Sequence, residues 1–141
     1  MKWYKPIPCD KHVKNPLVCD YTNIEEYGFK KSDFIAGKEI TNWNNNIIFQ
    51  AKNKKNGGNP DDALQNAEML PIYSPRFIQA INSAKIEGIQ FLPVNVLQPD
   101  GKSEEGFCIA NFLNFVEALD YERSDYDRFA DDFPNPNVRG E

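Results

Sequence analysis

The chain has 141 residues and a mass of 16.2 kDa, the length of one domain, and its 40 % hydrophobic and 13 % aromatic residues suffice for a packed core without metal or disulfide support. A mean hydropathy of -0.62 and the lack of an apolar run of ~20 residues exclude a transmembrane helix, and the absence of an apolar leader predicts a cytoplasmic protein. Residues 1–60 carry a net charge of +4 and residues 61–141 one of -9, which disfavours binding to nucleic acid or to an anionic membrane.

The first half of the chain predicts short extended segments. Prolines favour extended pieces near residues 3–4 and 17–19, and the β-branched and aromatic run 46–50 is typical of a strand. Residues 52–59 are rich in Lys, Gly and Asn and predict a mobile exposed loop. The next residues, Asn59-Pro60-Asp61-Asp62, resemble a helix start and predict a short helix over about 60–68.

The middle of the chain has clearer signals. Residues 70–73 are extended, and Ser74-Pro75 is a helix cap followed by apolar residues at helical spacing as far as Ala84. A strand over 89–97 follows, in which Pro93 indicates a sheet edge or a bulge. A turn at 98–102 and a returning strand over 107–112 complete a predicted β-hairpin.

These elements predict an α+β fold, with a mostly antiparallel sheet that contains the hairpin (about 89–112) and one or two short packed helices. Residues 1–130 are expected to form a single α+β domain. Residues 116–120 are either a last strand or one helical turn. Residues 131–141, rich in Pro and Asn, are a tail or the start of a further segment.

No catalytic residue, metal site or cofactor is predicted. The spacing of Cys9, His12 and Cys19, with Cys108 far away, lacks the second close ligand pair of a structural zinc site. Three cysteines cannot close a disulfide framework, and Cys108 lies in an apolar strand where a thiol is inert. Ser74 is explained by its capping role, and no Gly-x-Ser-x-Gly elbow accompanies the one histidine.

Two further patterns suggest chemistry but are better explained by solvation. Residues 52–58 combine Lys with Gly-Gly but lack the order of a phosphate-binding loop. Carboxylate pairs at 61–62, 104–105 and 131–132 lie at a predicted helix start, a turn and a tail, not on the separate elements that a concave catalytic site needs.

Four short motifs lie in the middle of the chain, over about residues 70–124. They are Leu70-Pro71-Ile72-Tyr73-Ser74-Pro75-Arg76-Phe77, Gly88-Ile89-Gln90-Phe91-Leu92-Pro93-Val94, Phe107-Cys108-Ile109-Ala110-Asn111, and Ala118-Leu119-Asp120 with Ser124. Their resemblance is to a family of bacterial immunity proteins that occur beside polymorphic and contact-dependent toxins. It implies a non-enzymatic protein that binds and neutralises one cognate toxin inside the producing cell.

If the protein is such an inhibitor, its acidic pole suits a basic toxin, and the acidic stretch 117–127 is the predicted contact surface. The predicted partner-binding residues combine acids with aromatic anchors: Asp120, Tyr121, Glu122, Asp125, Tyr126 and Asp127. In a competing interpretation, Asp120 and Ser124 hold a local turn and the other acids are solvated. Alternative functions are a protein-interaction adaptor, or a small-ligand or enzyme domain without a local motif.

Overall fold

The computed structural model describes residues 13–114 and 122–123, which form an α+β fold. These residues contain one α-helix, α1 (Pro75–Ser83), and three 3-10 helices (Ile24–Tyr27, Lys31–Phe34 and Lys54–Asn56). Nine short strands accompany them: β1 (Val18–Cys19), β2 (Tyr21–Thr22), β3 (Ile48–Gln50), β4 (Gln65–Asn66), β5 (Ile72–Tyr73), β6 (Ile89–Pro93), β7 (Asn95–Leu97), β8 (Ser103–Glu104) and β9 (Cys108–Phe112).

The strands form three sheets in which most pairs are antiparallel. The largest has the order β2-β3-β7-β8, the second β5-β9-β6, and β1 pairs with β4 alone. Only β3 with β7 and β1 with β4 are parallel among the strand pairs of the described residues. The predicted fold class is therefore confirmed.

The predicted hairpin is confirmed as an antiparallel pair but its first strand is divided. Strands β6 and β9 pair from Ile89 opposite Phe112 to Pro93 opposite Cys108, and β6 is an edge strand. The ladder ends at Pro93, which has no N–H to donate. Residues 95–97 leave this sheet as β7 and pair with β3 and β8, so the single strand predicted over 89–97 is wrong.

The turn predicted at 98–102 joins β7 to β8. The Gly101 N–H donates to the Gln98 carbonyl oxygen at 2.9 Å, and Asp100 Oδ1 accepts from the Lys102 N–H at 2.9 Å. Gly101 has φ +84°, a conformation that favours glycine over any residue with a Cβ.

The helix predicted at Ser74-Pro75 is present and begins as expected. Ser74 Oγ accepts from the Phe77 N–H at 3.1 Å, and Pro75 occupies the first turn, where no N–H is needed. The apolar residues Phe77, Ile78 and Ile81 are half-buried, and no residue of α1 is fully buried.

The helix predicted over 60–68 is wrong. Its expected cap, Asn59, instead forms backbone bonds with residues 15 and 17, and Ala63 bridges to Tyr73. Leu64 is buried in the core, and 65–66 form β4. Local capping signals were overridden because the backbone of this segment pairs with distant strands.

The core is one contiguous cluster to which strands of all three sheets contribute. Phe49, Ile47 and Val96 contribute from the β3–β7 region, and Ile72 and Ile109 from the β5–β9 pair, each at most 1 % exposed. Within residues 13–114 and 122–123, no helix has the length and apolar character that a membrane crossing requires.

The segment 52–59, predicted as a mobile loop, is bonded at both ends. Asp20 Oδ1 accepts from the Lys52 N–H at 2.6 Å, and the Gln98 side chain bonds to both the N–H and the carbonyl oxygen of Gly58. Gly58 also lies so close to the Asn15 carbonyl oxygen that a Cβ would collide with it.

Candidate functional site

The predicted partner-binding residues fall almost entirely outside the described part of the chain. Asp120, Tyr121, Asp125, Tyr126 and Asp127 lie outside it, and Glu122 lies within it and is exposed. The acidic stretch therefore stays a prediction, and the candidate site of the structure is formed by other residues.

An open cleft of about 310 Å³ is formed by the region of the first two 3-10 helices and the segment that follows them. It is lined by Gly28, Phe29, Asp33 and residues 36 and 38–42. Most of the lining side chains in 36–42 are exposed, and they carry both charge signs through Lys38 and Glu39. Such a mixed, solvent-facing wall is typical of the rim of a protein contact.

Two side chains on the sheet hold the cleft wall in place. Gln90 lies opposite Asn111 in the β6–β9 ladder. Gln90 Oε1 accepts from the Ile40 N–H at 3.0 Å, and its Nε2 donates to the Ile40 carbonyl oxygen at 2.7 Å. Asn111 Nδ2 donates to the Lys38 carbonyl oxygen at 2.8 Å and to Gln90 Oε1 at 2.9 Å. The network ties residues 38–40 to the sheet.

The orientation of both amides follows from this network. The Ile40 N–H can only donate, so the Gln90 atom that it meets is the oxygen, and Asn111 must then present its NH₂ group to that oxygen. Asn111 is 0 % exposed, and its Oδ1 has no hydrogen-bond partner among the described residues. The network is therefore directional and buried at its Asn111 end, where no donor can be exchanged for an acceptor.

Aromatic rings support the same region. Phe29, which lines the cleft, packs against Trp43 with ring centroids 5.1 Å apart, and Phe34 lies 6.0 Å from Trp43 at an edge-to-face angle of 87°. Trp43 Nε1 donates to the Pro93 carbonyl oxygen at 2.8 Å, at the end of β6. The cleft is thus fixed to the sheet at Pro93 as well as at Gln90 and Asn111.

A second polar cluster occupies the start of α1. Ser74 Oγ donates to Asp62 Oδ1 at 2.6 Å, and Arg76 donates to both Asp62 oxygens through Nε and Nη2. Hydrogen bonds from Arg76, and then from Ser74, lower the pKa of the Asp62 carboxyl below its usual value. Asp62 was expected to be solvated only, but it connects the 61–64 segment to the helix start.

Replacing Asp62 by asparagine is expected to lower the free energy of unfolding by about 1 kcal/mol at pH 7, since a charged bidentate partner is lost from a partly exposed site. A carboxyl whose folded pKa is lowered adds stability above its unfolded pKa, about 3.9, and loses it as pH falls through the folded pKa. Urea unfolding of Asp62→Asn and of the native chain should therefore give free energies of unfolding that differ less at pH 3 than at pH 7.

The exposed Glu105 offers a matched control, because Glu105→Gln removes one carboxylate without removing a described bond. Its unfolding midpoint should stay close to that of the native chain throughout. If the free energy of unfolding that Asp62→Asn loses relative to the native chain grew toward pH 3, this would contradict a stabilising role of the ionised carboxylate.

The described thiols are poor nucleophiles and poor metal ligands. Burial, with a smaller contribution from the Asp20 charge, raises the pKa of Cys19 to about 12, and burial also raises the pKa of Cys108. Among the described residues no His, Cys, Asp or Glu group has the arrangement of a metal site. Cys9 and His12 lie outside those residues.

Sequence reasoning missed the roles of Gln90, Asn111 and Asp62. Gln90, Asn111 and Ser74 lie in the motifs that carry the resemblance to immunity proteins, but the residues that they hold at Ile40, Lys38 and Asp62 lie outside those motifs. Lys38 is 73 residues from Asn111 and Ile40 is 50 residues from Gln90. The one available signal was a pair of amides within apolar strands, where a polar side chain needs a buried partner.

No curated protein matches this chain. A family model does: the immunity protein family Imm11 matches residues 4–140, nearly the whole chain. This match confirms the resemblance found over about 70–124 and extends it in both directions. The chain belongs to the Imm11 immunity protein family.

Proposed function

We propose that this chain binds a cognate toxin of a polymorphic or contact-dependent system and neutralises it in the cytoplasm of the producing cell, without catalysis. The observation that carries the proposal is the family match over residues 4–140. Immunity by binding requires a surface complementary to one toxin, and no chemistry of its own.

The cleft supports a binding role because its wall is built before any partner arrives. Hydrogen bonds from Gln90 and Asn111 fix residues 38–40, so little conformational entropy remains to be lost on binding. The exposed Ile35, 65 % accessible, adds an apolar group in the same segment, next to the lining residue at 36. We propose this cleft as one part of the toxin contact.

Charge supports the choice of a basic toxin. Residues 61–141 carry a net charge of -9, and an acidic surface speeds association with a basic protein at low ionic strength. We keep Asp120, Glu122, Asp125 and Asp127, with Tyr121 and Tyr126, as the proposed region of first contact.

Reversing the charge at Glu122, Asp125 and Asp127 together to lysine is expected to slow association with the toxin encoded beside this gene by about tenfold at low salt. The loss should shrink as ionic strength rises, because exposed charges are screened over about 10 Å at 0.1 M. Stopped-flow mixing with an inactivated toxin domain, at several salt concentrations, measures both quantities.

A triple reversal at Glu87, Asp100 and Glu105 is the control, since it makes the same change in net charge at three exposed positions outside the cleft wall. Equal slowing by the two triple variants would mean that only net charge matters and that the stretch 120–127 is not the contact. If the native chain neither binds the toxin nor protects cells that express it, the proposed function itself is wrong.

A further inference from the structure

The segment 52–58, which takes no part in lining the cleft, contains a chemically reactive pair of residues. Asn56-Gly57 is the one place in the sequence where an asparagine precedes a glycine. A glycine has no side chain to shield its main-chain nitrogen, so that nitrogen can reach the side-chain carbonyl carbon of the preceding asparagine. The pair is therefore a candidate site of covalent modification that needs no enzyme.

The turn that carries this pair is easily opened. The segment is bonded at both ends, but the 3-10 helix between them, Lys54–Asn56, has no buried residue. Asn56 itself is half-buried. The Gly57 N–H donates to the Lys54 carbonyl oxygen at 3.3 Å, longer than an ordinary N–H···O bond. An exposed turn with no side chain in the core and a long last bond opens at little cost in free energy.

The charges next to the pair favour the same chemistry. Lys54 and Lys55 are exposed and lie within three residues of Gly57. A nearby cation stabilises an anion, both the nitrogen anion that forms when the Gly57 N–H loses its proton and the oxyanion that forms when this nitrogen attacks a carbonyl group. The sequence around the pair therefore assists the attack as well as permitting it.

We propose that Asn56 deamidates spontaneously in this protein when the turn opens. The Gly57 nitrogen loses its proton to water and forms a bond to Asn56 Cγ. The Cγ–Nδ2 bond breaks, and Nδ2 takes a proton from water and leaves as ammonia, so that a five-membered succinimide remains. A water molecule then adds to one of the two ring carbonyl carbons and breaks its bond to nitrogen, which gives aspartate or isoaspartate.

Asp20 controls how often the turn opens. Its Oδ1 accepts from the Lys52 N–H at 2.6 Å and its Oδ2 from the Asn53 N–H at 3.3 Å. The Lys52 N–H, and further hydrogen bonds that include one from the Asn56 side chain, hold the pKa of the Asp20 carboxyl below its usual value. The ionised carboxylate thus fixes the start of the turn and slows the reaction. A carboxylate formed at position 56 would repel Asp20 and weaken the same bonds.

The test follows the mass of the full-length chain during incubation at mildly alkaline pH. Replacing the amide by a carboxylate adds about 1 Da, and peptide mapping locates the change. The peptide that contains Asn56 should gain this mass at least about tenfold faster than any other asparagine-containing peptide. Asn56→Gln should abolish the fast gain, because the longer side chain closes its ring more slowly. No gain, or a gain that is faster at another asparagine, would overturn the proposal.

A second comparison tests the control by Asp20. Asp20→Ala should deamidate at least about threefold faster than the native chain, and Asp20→Asn, which keeps an acceptor oxygen, at a rate between the two. Asp100→Ala is the matched control, since it removes a carboxylate that accepts from the Lys102 N–H in another exposed turn, and it should react at the native rate.

Urea separates an effect of the folded turn from an effect of composition. In urea that unfolds every chain, Asp20→Ala and the native chain should deamidate at equal rates, because Asp20 acts through the folded turn alone. A native rate for Asp20→Ala in the folded state, or a difference that persists in urea, would contradict the control by Asp20. Neither result bears on toxin binding, so the proposed function is tested separately.

Discussion

Replacing Phe49 by alanine is expected to remove about 3–5 kcal/mol from the free energy of unfolding. Phe49 is 1 % exposed, lies in β3 between β2 and β7, and pairs with Thr22 on one side and Val96 on the other. Deleting its ring leaves a cavity that the surrounding strands can fill only partly, because they are held by backbone bonds. Domains are stable by only 5–15 kcal/mol, so a large part of the total would be lost.

Urea unfolding measures this effect as a fall in the midpoint with little change in slope. Phe112→Ala is the matched control, since the same side chain is removed from a position that is 38 % exposed at the end of β9. Phe112→Ala should lower the free energy of unfolding clearly less than Phe49→Ala does. Equal losses for the two variants would contradict the close packing of the core around β3.

Replacing Asn111 by aspartate is expected to lower the free energy of unfolding by about 3–5 kcal/mol at pH 7, as much as the loss at Phe49, although only the amide NH₂ group is changed. Asn111 is 0 % exposed, and its NH₂ group donates to two acceptors, the Lys38 carbonyl oxygen and Gln90 Oε1. A carboxylate would place an oxygen against both acceptors and would bury a charge at a position that has no exposure.

The pH dependence gives this prediction a second readout. Burial would raise the pKa of the introduced carboxyl in the folded chain above its value in the unfolded chain. The loss of unfolding free energy in Asn111→Asp is therefore largest above the folded pKa and becomes smaller as pH falls below it. Asn45→Asp is the control, because Asn45 is exposed and its side chain forms no hydrogen bond to any residue that the structure describes. Hydrogen exchange at the Ile40 amide should be faster in Asn111→Asp only. Native exchange there would contradict the role of the network in holding the cleft.

Several elements could be predicted because their causes are local. The start of α1 depends on Ser74 and Pro75 acting on the next three residues, and the turn at 98–102 depends on a glycine with positive φ. The strand at 48–50 follows from its β-branched and aromatic residues. The capping signal at Asn59-Pro60 was equally local and was wrong, since that segment pairs with residues 15–17 instead.

The sequence by itself determined the α+β class, the start of the one described α-helix, the β6–β9 pairing and membership of the immunity family. Only the tertiary structure decided the division of 89–97 between two sheets, the fixed position of 52–59 and the cleft. The cleft and the position of 52–59 depend on bonds from Gln90 to Ile40, from Asn111 to Lys38 and from Asp20 to Lys52, between residues 32 to 73 positions apart. The division of 89–97 depends on the pairing of β7 with the distant strand β3. Propensity acts over one helical or hairpin turn, whereas a side-chain amide or carboxylate bonds to whichever backbone group the fold brings beside it.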